Sequence, residues 1–158
     1  MSPASPGQLE SFVDKSVYML KMAEIGAKAR NLKHTMNWQA TRTSAANTVE
    51  QIRQTSPKFA VYLEAEHLGE IDRLKPGHDV RLDEDPKLKV AREALIIQAC
   101  KDPKTGPQFS LQLATADHKR YSEMVRQANL RGDLSLAQVT SVRLQIAYEA
   151  KQEQLTKR

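Results

Sequence analysis

Glu64-Ala65-Glu66-His67 sets a carboxylate and an imidazole at Glu-x-x-His, the helical spacing that di-iron bundles use twice. No second copy occurs, and one half-site cannot hold two metal ions, so the motif reads as part of a charge-rich surface helix. Glu66 and Glu70 also lie one turn apart, but Arg73 beside them favours an ion-paired face over an acid–base couple. Asp117-His118 falls at the predicted start of a later helix, where the aspartate suits the dipole and the histidine does not. Cys100, the only cysteine, sits in an apolar helical run and reads as a buried, unreactive thiol. A serine elbow, a glycine-rich phosphate loop and a zinc-ligand pattern are all missing from the sequence. The expectation is a protein without enzymatic activity, metal or cofactor.

Two segments could contact nucleic acid instead. Residues 128–139 run helix, glycine turn, capped helix, the plan of a helix-turn-helix within 116–150. Its second helix would offer Gln138, Ser141, Arg143 and Gln145 to base edges. An ordinary αα-hairpin uses the same glycine and cap, and is the plainer reading. Lys28, Arg30, Lys33 and Arg42 form a basic cluster in 28–42 with no acidic residue between Glu24 and Glu50. With Trp38 as a stacking ring, that cluster would suit a single strand. A solvated face with Trp38 anchoring a helix contact is the alternative.

The elements that must carry these residues are helical. From Gln8 to Ser56 the chain has no proline and one glycine, Gly26, so it predicts one very long helix or a pair with a polar joint. Leu9, Phe12, Val13, Val17, Leu20, Ala23 and Ala27 recur three and four residues apart on one stripe, and Met36 lies beyond it. Asn47 with Glu50 could cap a separate helix. Lys58–Leu74 and Pro86–Lys101 predict two more, the latter opened by Asp85-Pro86. Phe109, Leu111 and Leu113 alternate with polar neighbours, as do Val80 and Leu82, which admits a minor two-stranded ribbon. Thr115 would then cap a helix to Arg131, and Ser135 with Gln138 a last one burying Leu136, Val139, Val142, Ile146 and Ala150.

The fold expected is all-α, with four to six helices and a long N-terminal helix or helix pair packed on a C-terminal αα-hairpin. Residues 1–7 read as a disordered leader and 8–158 as a single helical domain. A chain of 158 residues can bury one modest core, and with 5% aromatics that core must come mainly from aliphatic side chains. The net charge of +5 is unevenly spread, with an acidic centre (57–86) between basic flanks. That arrangement favours charge complementarity within the fold or between copies, and is too mild to require nucleic acid. Met1–Gln8 lacks a signal peptide's basic and apolar regions, and no stretch is apolar enough to span a membrane, so a soluble cytoplasmic protein is expected. The reading is a helical assembly or adaptor protein, a homo-oligomer or a subunit of a larger complex. Leu9, Phe12, Val13, Val17, Leu20 and Met36 would make its contacts, with Trp38 as anchor; nucleic acid is the alternative partner.

Overall fold

Three side-chain caps and three early prolines set where the helices begin. The computed structural model describes residues 6–78 and 83–157, and for residues 6–14 the backbone alone. The described residues form six helices in succession: α1 (Pro6–Leu32), α2 (Trp38–Arg53), α3, α4 (Pro86–Ala99), α5 (Gly106–Leu130) and α6 (Leu134–Thr156). Helix α3 comprises Pro57–Leu63, a π-helical turn Glu64–Leu68, and Gly69–Arg73. The described residues contain no strand, and the fold they make is all-helical.

The long opening segment is two helices, and the break falls before the predicted cap. Asn37 has extended backbone (φ −107°, ψ 121°) and its side chain accepts from the Ala40 amide at 2.9 Å. That satisfies a donor the first turn cannot pair internally. Asn47 and Glu50 lie inside α2. Asp85 caps α4 as expected, accepting from Lys87 N at 2.9 Å with Pro86 next in the chain. Asp133, rather than Ser135, caps α6 through Leu136 N at 3.1 Å. Pro6 and Gly7 already belong to α1, while the rest of the expected leader lies outside the described residues.

The predicted ribbon is overturned at its second strand. Phe109, Leu111 and Leu113 lie in α5, which starts at Gly106 rather than after Thr115. Their alternation coincides with burial of most of that helical turn, where Phe109, Ser110, Leu111, Leu113 and Ala114 are inside and Gln108 and Gln112 are half-buried. A helical turn buried on most of its circumference keeps too narrow a polar face for period-based reading. Val80 and Leu82 lie outside the described residues. Gly106 permits the α4–α5 turn: a Cβ there would stand 2.6 Å from the Cys100 carbonyl oxygen. Gly132 ends α5 with φ 74°, and Asp133 N reaches back to Ala128 O at 2.9 Å. That i-to-i−5 bond closes a helix through a left-handed glycine.

Helices α5 and α6 form an antiparallel hairpin. Arg143 lies over the Tyr121 ring at 5.0 Å and Tyr148 meets His118 at 5.4 Å, so positions on one helix rise as those on the other fall. Helix α1 lies against α4 and α5, and α3 against α2 and α6. The core centres on Phe59, Tyr62, Leu63, Ile71, Val90, Ile97, Phe109 and Tyr121. Tyr18 of α1 stacks on Phe109 at 5.7 Å. Glu153 of α6 accepts from Lys58 N (3.0 Å) and Phe59 N (2.9 Å), supplying the first turn of α3 with the partners it lacks.

Helix α1 turns its sequence stripe outward, and α6 does so only in part, since Ala150 of its stripe is buried and Ile146 packs on the core as expected. In α6 the buried residues are Ala137, Thr140, Ala147, Ala150 and Gln154, while Val139 and Val142 are 64% and 62% exposed. Small residues let α6 approach α5 and α3 closely, which larger aliphatics would prevent. In α1 the core takes Tyr18, Met22, Ile25 and Ala29, and Leu20, Ala23 and Ala27 face outward.

Candidate functional sites

The π turn of α3 puts two charged side chains inside the protein. An extra residue in a helical turn rotates the side chains beyond it, and such turns recur at functional positions. Gly69 N donates to Glu64 O, five residues back, and the inserted turn brings Glu66, His67 and Leu68 inside together. The expected charge-rich surface helix is therefore corrected here: Glu66 and His67 are buried, while Glu64 is exposed and pairs with Arg53.

Glu66 is held from three directions. Arg143 of α6 donates to it twice, Nε at 3.1 Å and Nη2 at 2.8 Å. The Tyr121 hydroxyl donates to Oε2, and Arg120 of α5 approaches the same oxygen at 3.9 Å. Arg120 and Arg143 lie over the Tyr121 ring at 4.7 and 5.0 Å. Arg120 also donates to Asp117 at 2.8 Å, and Asp117 accepts from the buried Tyr62 hydroxyl. Burial first, and the adjoining carboxylates second, raise the pKa of both tyrosines, so both stay protonated donors. Asp117 stands well inside α5 and not at a helix start.

His67 makes the second half of the cluster. Its Nδ1 lies 2.5 Å from Glu93 Oε2, and Nε2 is buried with no hydrogen-bond partner among the described residues. Lys89 stands 3.7 Å from both Glu93 and Glu70, and Arg73 donates to Glu70 at 2.7 Å. Burial works against the imidazolium, but the Glu93 bond and the fields of Glu93, Asp117 and Glu66 outweigh it. The net result is a raised His67 pKa.

Chemically, this network joins elements. Its four carboxylates (Glu66, Glu70, Glu93, Asp117) face four cations (Arg73, Lys89, Arg120, Arg143), and the pairs Lys89–Glu70, Arg120–Glu66 and Arg143–Glu66 tie α3 to α4, α5 and α6. Five surface cavities, including the groove between α2 and α4, are lined by other residues. Among the described residues no three His, Cys, Asp or Glu side chains gather where a metal ion could sit. Cys100 is partly buried, and burial pushes its thiol up to about 12 against a bond to Ser110. The sequence marks Glu66 and His67 by their local spacing alone; their partners Arg143 and Glu93 lie on other helices.

The candidate nucleic-acid residues are largely engaged inside the fold. Lys28 pairs with Glu24 at 3.0 Å, Lys33 with Asp85 at 3.7 Å, and Arg42 with Asp72 at 2.9 Å. Arg30 is exposed. Trp38 donates from Nε1 to Ile71 O at 2.8 Å and has Lys75 over its ring at 5.7 Å, which ties α2 to the end of α3. In α6, Arg143 serves Glu66, Ser141 donates to Ala137 O at 2.7 Å, and Gln145 bonds Glu149 at 3.4 Å. Gln138 is exposed.

The packing residues fall in two groups. Met36 and Trp38 pack on the core of their own chain. Leu20 is 73% exposed and Val17 is half-buried. Leu9, Phe12 and Val13 lie in the first turns of α1, where the backbone alone is described. Met19, a neighbour the sequence stripe omits, is 60% exposed. Comparison with protein-family models, curated proteins and solved structures yields no match. No helix among the described residues is long and apolar enough to cross a membrane.

Proposed function

We propose that the protein is a non-enzymatic helical assembly protein that self-associates through the outer face of α1, that helix lying over the later hairpin as its scaffold. The observation that carries this reading is the doubling of apolar stripes on α1. Tyr18, Met22, Ile25 and Ala29 serve the core, and Leu20, Ala23 and Ala27 mark a second stripe on the opposite side. In sequence, Leu9 and Val13 continue that outer stripe at heptad spacing. One apolar face is enough for a helix that only covers a core.

The occupant the outer stripe suits is a second copy of the same helix, running antiparallel. The early turns of α1 carry Glu10 and Asp14 with Lys15 beside them, and its closing turns carry Arg30 and Lys28, the latter paired with Glu24. Antiparallel pairing sets the Glu10 and Asp14 end of one copy beside the Arg30 end of the other, and a twofold axis makes the contact self-complementary. Ala23 and Ala27 let two backbones approach closely. At 27 residues α1 is about 40 Å long, enough for a continuous seam.

Nothing comparable favours nucleic acid, since three of the four cluster cations already have carboxylate partners. Sedimentation across micromolar to millimolar concentration tests the proposal. A dimer that Leu20→Glu converts to monomer supports it. A wild-type monomer throughout that range refutes it.

A further inference from the structure

Where α1 ends, the Thr35–Asn37 joint meets α2 and α4 around an open cavity of about 500 Å³. Ala40 and Ser44 of α2 face Ala91 and Ala94 of α4 across it, and Leu32 and Leu95 add to its apolar lining. The cavity exists because small side chains stand on both walls at this level. Deeper in the same helix pair, Val49 and Ile52 and Val90 and Ile97 fill the space between them. The volume lies within the roughly 300–1,000 Å³ range of small-molecule sites.

The cavity continues into a polar trough, with which it shares Asn37, Ala40, Ser44 and Gln98. Thr43, Asn47 and Gln51 line that trough, and Lys101 is the one charged residue lining either section. Lys101 Nζ donates to the neutral Gln51 amide and makes no ion pair with a carboxylate among the described residues. Neighbouring Asp102 is engaged elsewhere, accepting from Lys104 N at 2.9 Å and Thr105 N at 3.0 Å. An apolar well thus leads through uncharged donors and acceptors to a single cation with no anion of its own.

We propose that this groove binds a single-chain amphiphile of the fatty-carboxylate class, its chain between Ala40, Ala91 and Ala94 and its carboxylate at Lys101. The apolar lining accounts for the chain and the lone cation for the head. A neutral amphiphile would leave Lys101 unused, and a cationic one would be repelled by it. The only tryptophan, Trp38, stands next in the chain to the lining residues Met36 and Asn37 and gives an internal reporter.

The test titrates the full chain with saturated carboxylates of about eight to twelve carbons and with alcohols of equal length, below their micelle concentrations. Calorimetry and Trp38 fluorescence read the binding. Carboxylate affinity should rise about fourfold per added methylene, the equivalent of burying one CH₂. Alcohols should bind roughly fivefold more weakly, the size of an exposed ion pair. Lys101→Met should bring carboxylate affinity down to that of the alcohol. Ala40→Phe, on the exposed wall of α2, should weaken both series at least tenfold; Ala94→Leu is the second filling variant should the first not fold. Absent binding, affinity independent of chain length, or undiminished binding in a folded filling variant would each overturn the proposal. So would a change of sedimentation in Ala40→Phe without carboxylate binding, which would assign the groove to a second copy.

Discussion

Replacing Glu66 by leucine removes the carboxylate that joins α3 to both helices of the hairpin. Wild-type Glu66 accepts two Arg143 bonds, at 3.1 and 2.8 Å, and a third from Tyr121. Breaking a buried pair by removing one partner costs about 3–5 kcal/mol, because the surviving charge is left without compensation. The arginines here are not captive: the Arg143 and Arg120 side chains keep 43% and 57% of their surface exposed. Both can turn to water, which lowers the expected cost to about 2–3 kcal/mol. With a urea m-value of about 2 kcal/mol/M, that is a midpoint drop of about 1–1.5 M. The Glu66→Leu/Arg143→Met double variant should return to within about 1 kcal/mol of wild type, since a buried pair replaced by apolar groups leaves no stranded charge. Urea unfolding monitored by circular dichroism measures all three proteins. A single-variant drop below about 0.3 M, or a double variant no more stable than the single, would refute the reasoning.

The His67 pKa is raised in the fold, so its pairing with Glu93 stabilises the protein fully below the unfolded value of about 6.5 and is lost as pH rises through the folded value. Wild type should therefore lose stability relative to His67→Gln as pH rises above neutrality, and parallel unfolding midpoints would contradict this. With its thiol raised to about 12, native Cys100 should react with iodoacetamide at pH 8 far more slowly than in urea, and equal rates would show a reactive thiolate. Ala147→Leu, at a fully buried contact of α6, should cost about 1–3 kcal/mol by overpacking, as read from the thermal midpoint, whereas Val142→Leu on the exposed side should be near neutral.

Local signals proved readable where chemistry is local. Asp85-Pro86 announced α4, Gly132 the end of α5, and Phe59, Tyr62, Leu63, Leu68 and Ile71 the inner face of α3. The α1–α2 break was less legible, because Asn37 lacks the acidic third residue that marked Asn47 and Glu50 as the more obvious box. The stripe in α1, and the Val139 and Val142 part of the stripe in α6, misled where a helix has apolar residues on more than one face, since periodicity ranks faces by hydrophobicity and packing selects by shape. Ala147, outside the predicted stripe, is buried for being small beside the expected Ala150, while the bulkier Val139 and Val142 remain outside. The buried cluster was invisible for another reason. Glu66 and Arg143 stand 77 positions apart, and nothing near either residue signals that a π turn will carry the carboxylate inward.

Sedimentation equilibrium of wild type beside Leu20→Glu tests the central claim most directly, because Leu20 is 73% exposed and its loss removes nothing from the core. The account predicts a wild-type dimer, a monomeric Leu20→Glu variant, and the same helical content and melting behaviour for both at concentrations where wild type has dissociated. A wild type that stays monomeric at millimolar concentration, or a Leu20→Glu variant that associates as tightly as wild type, would contradict it.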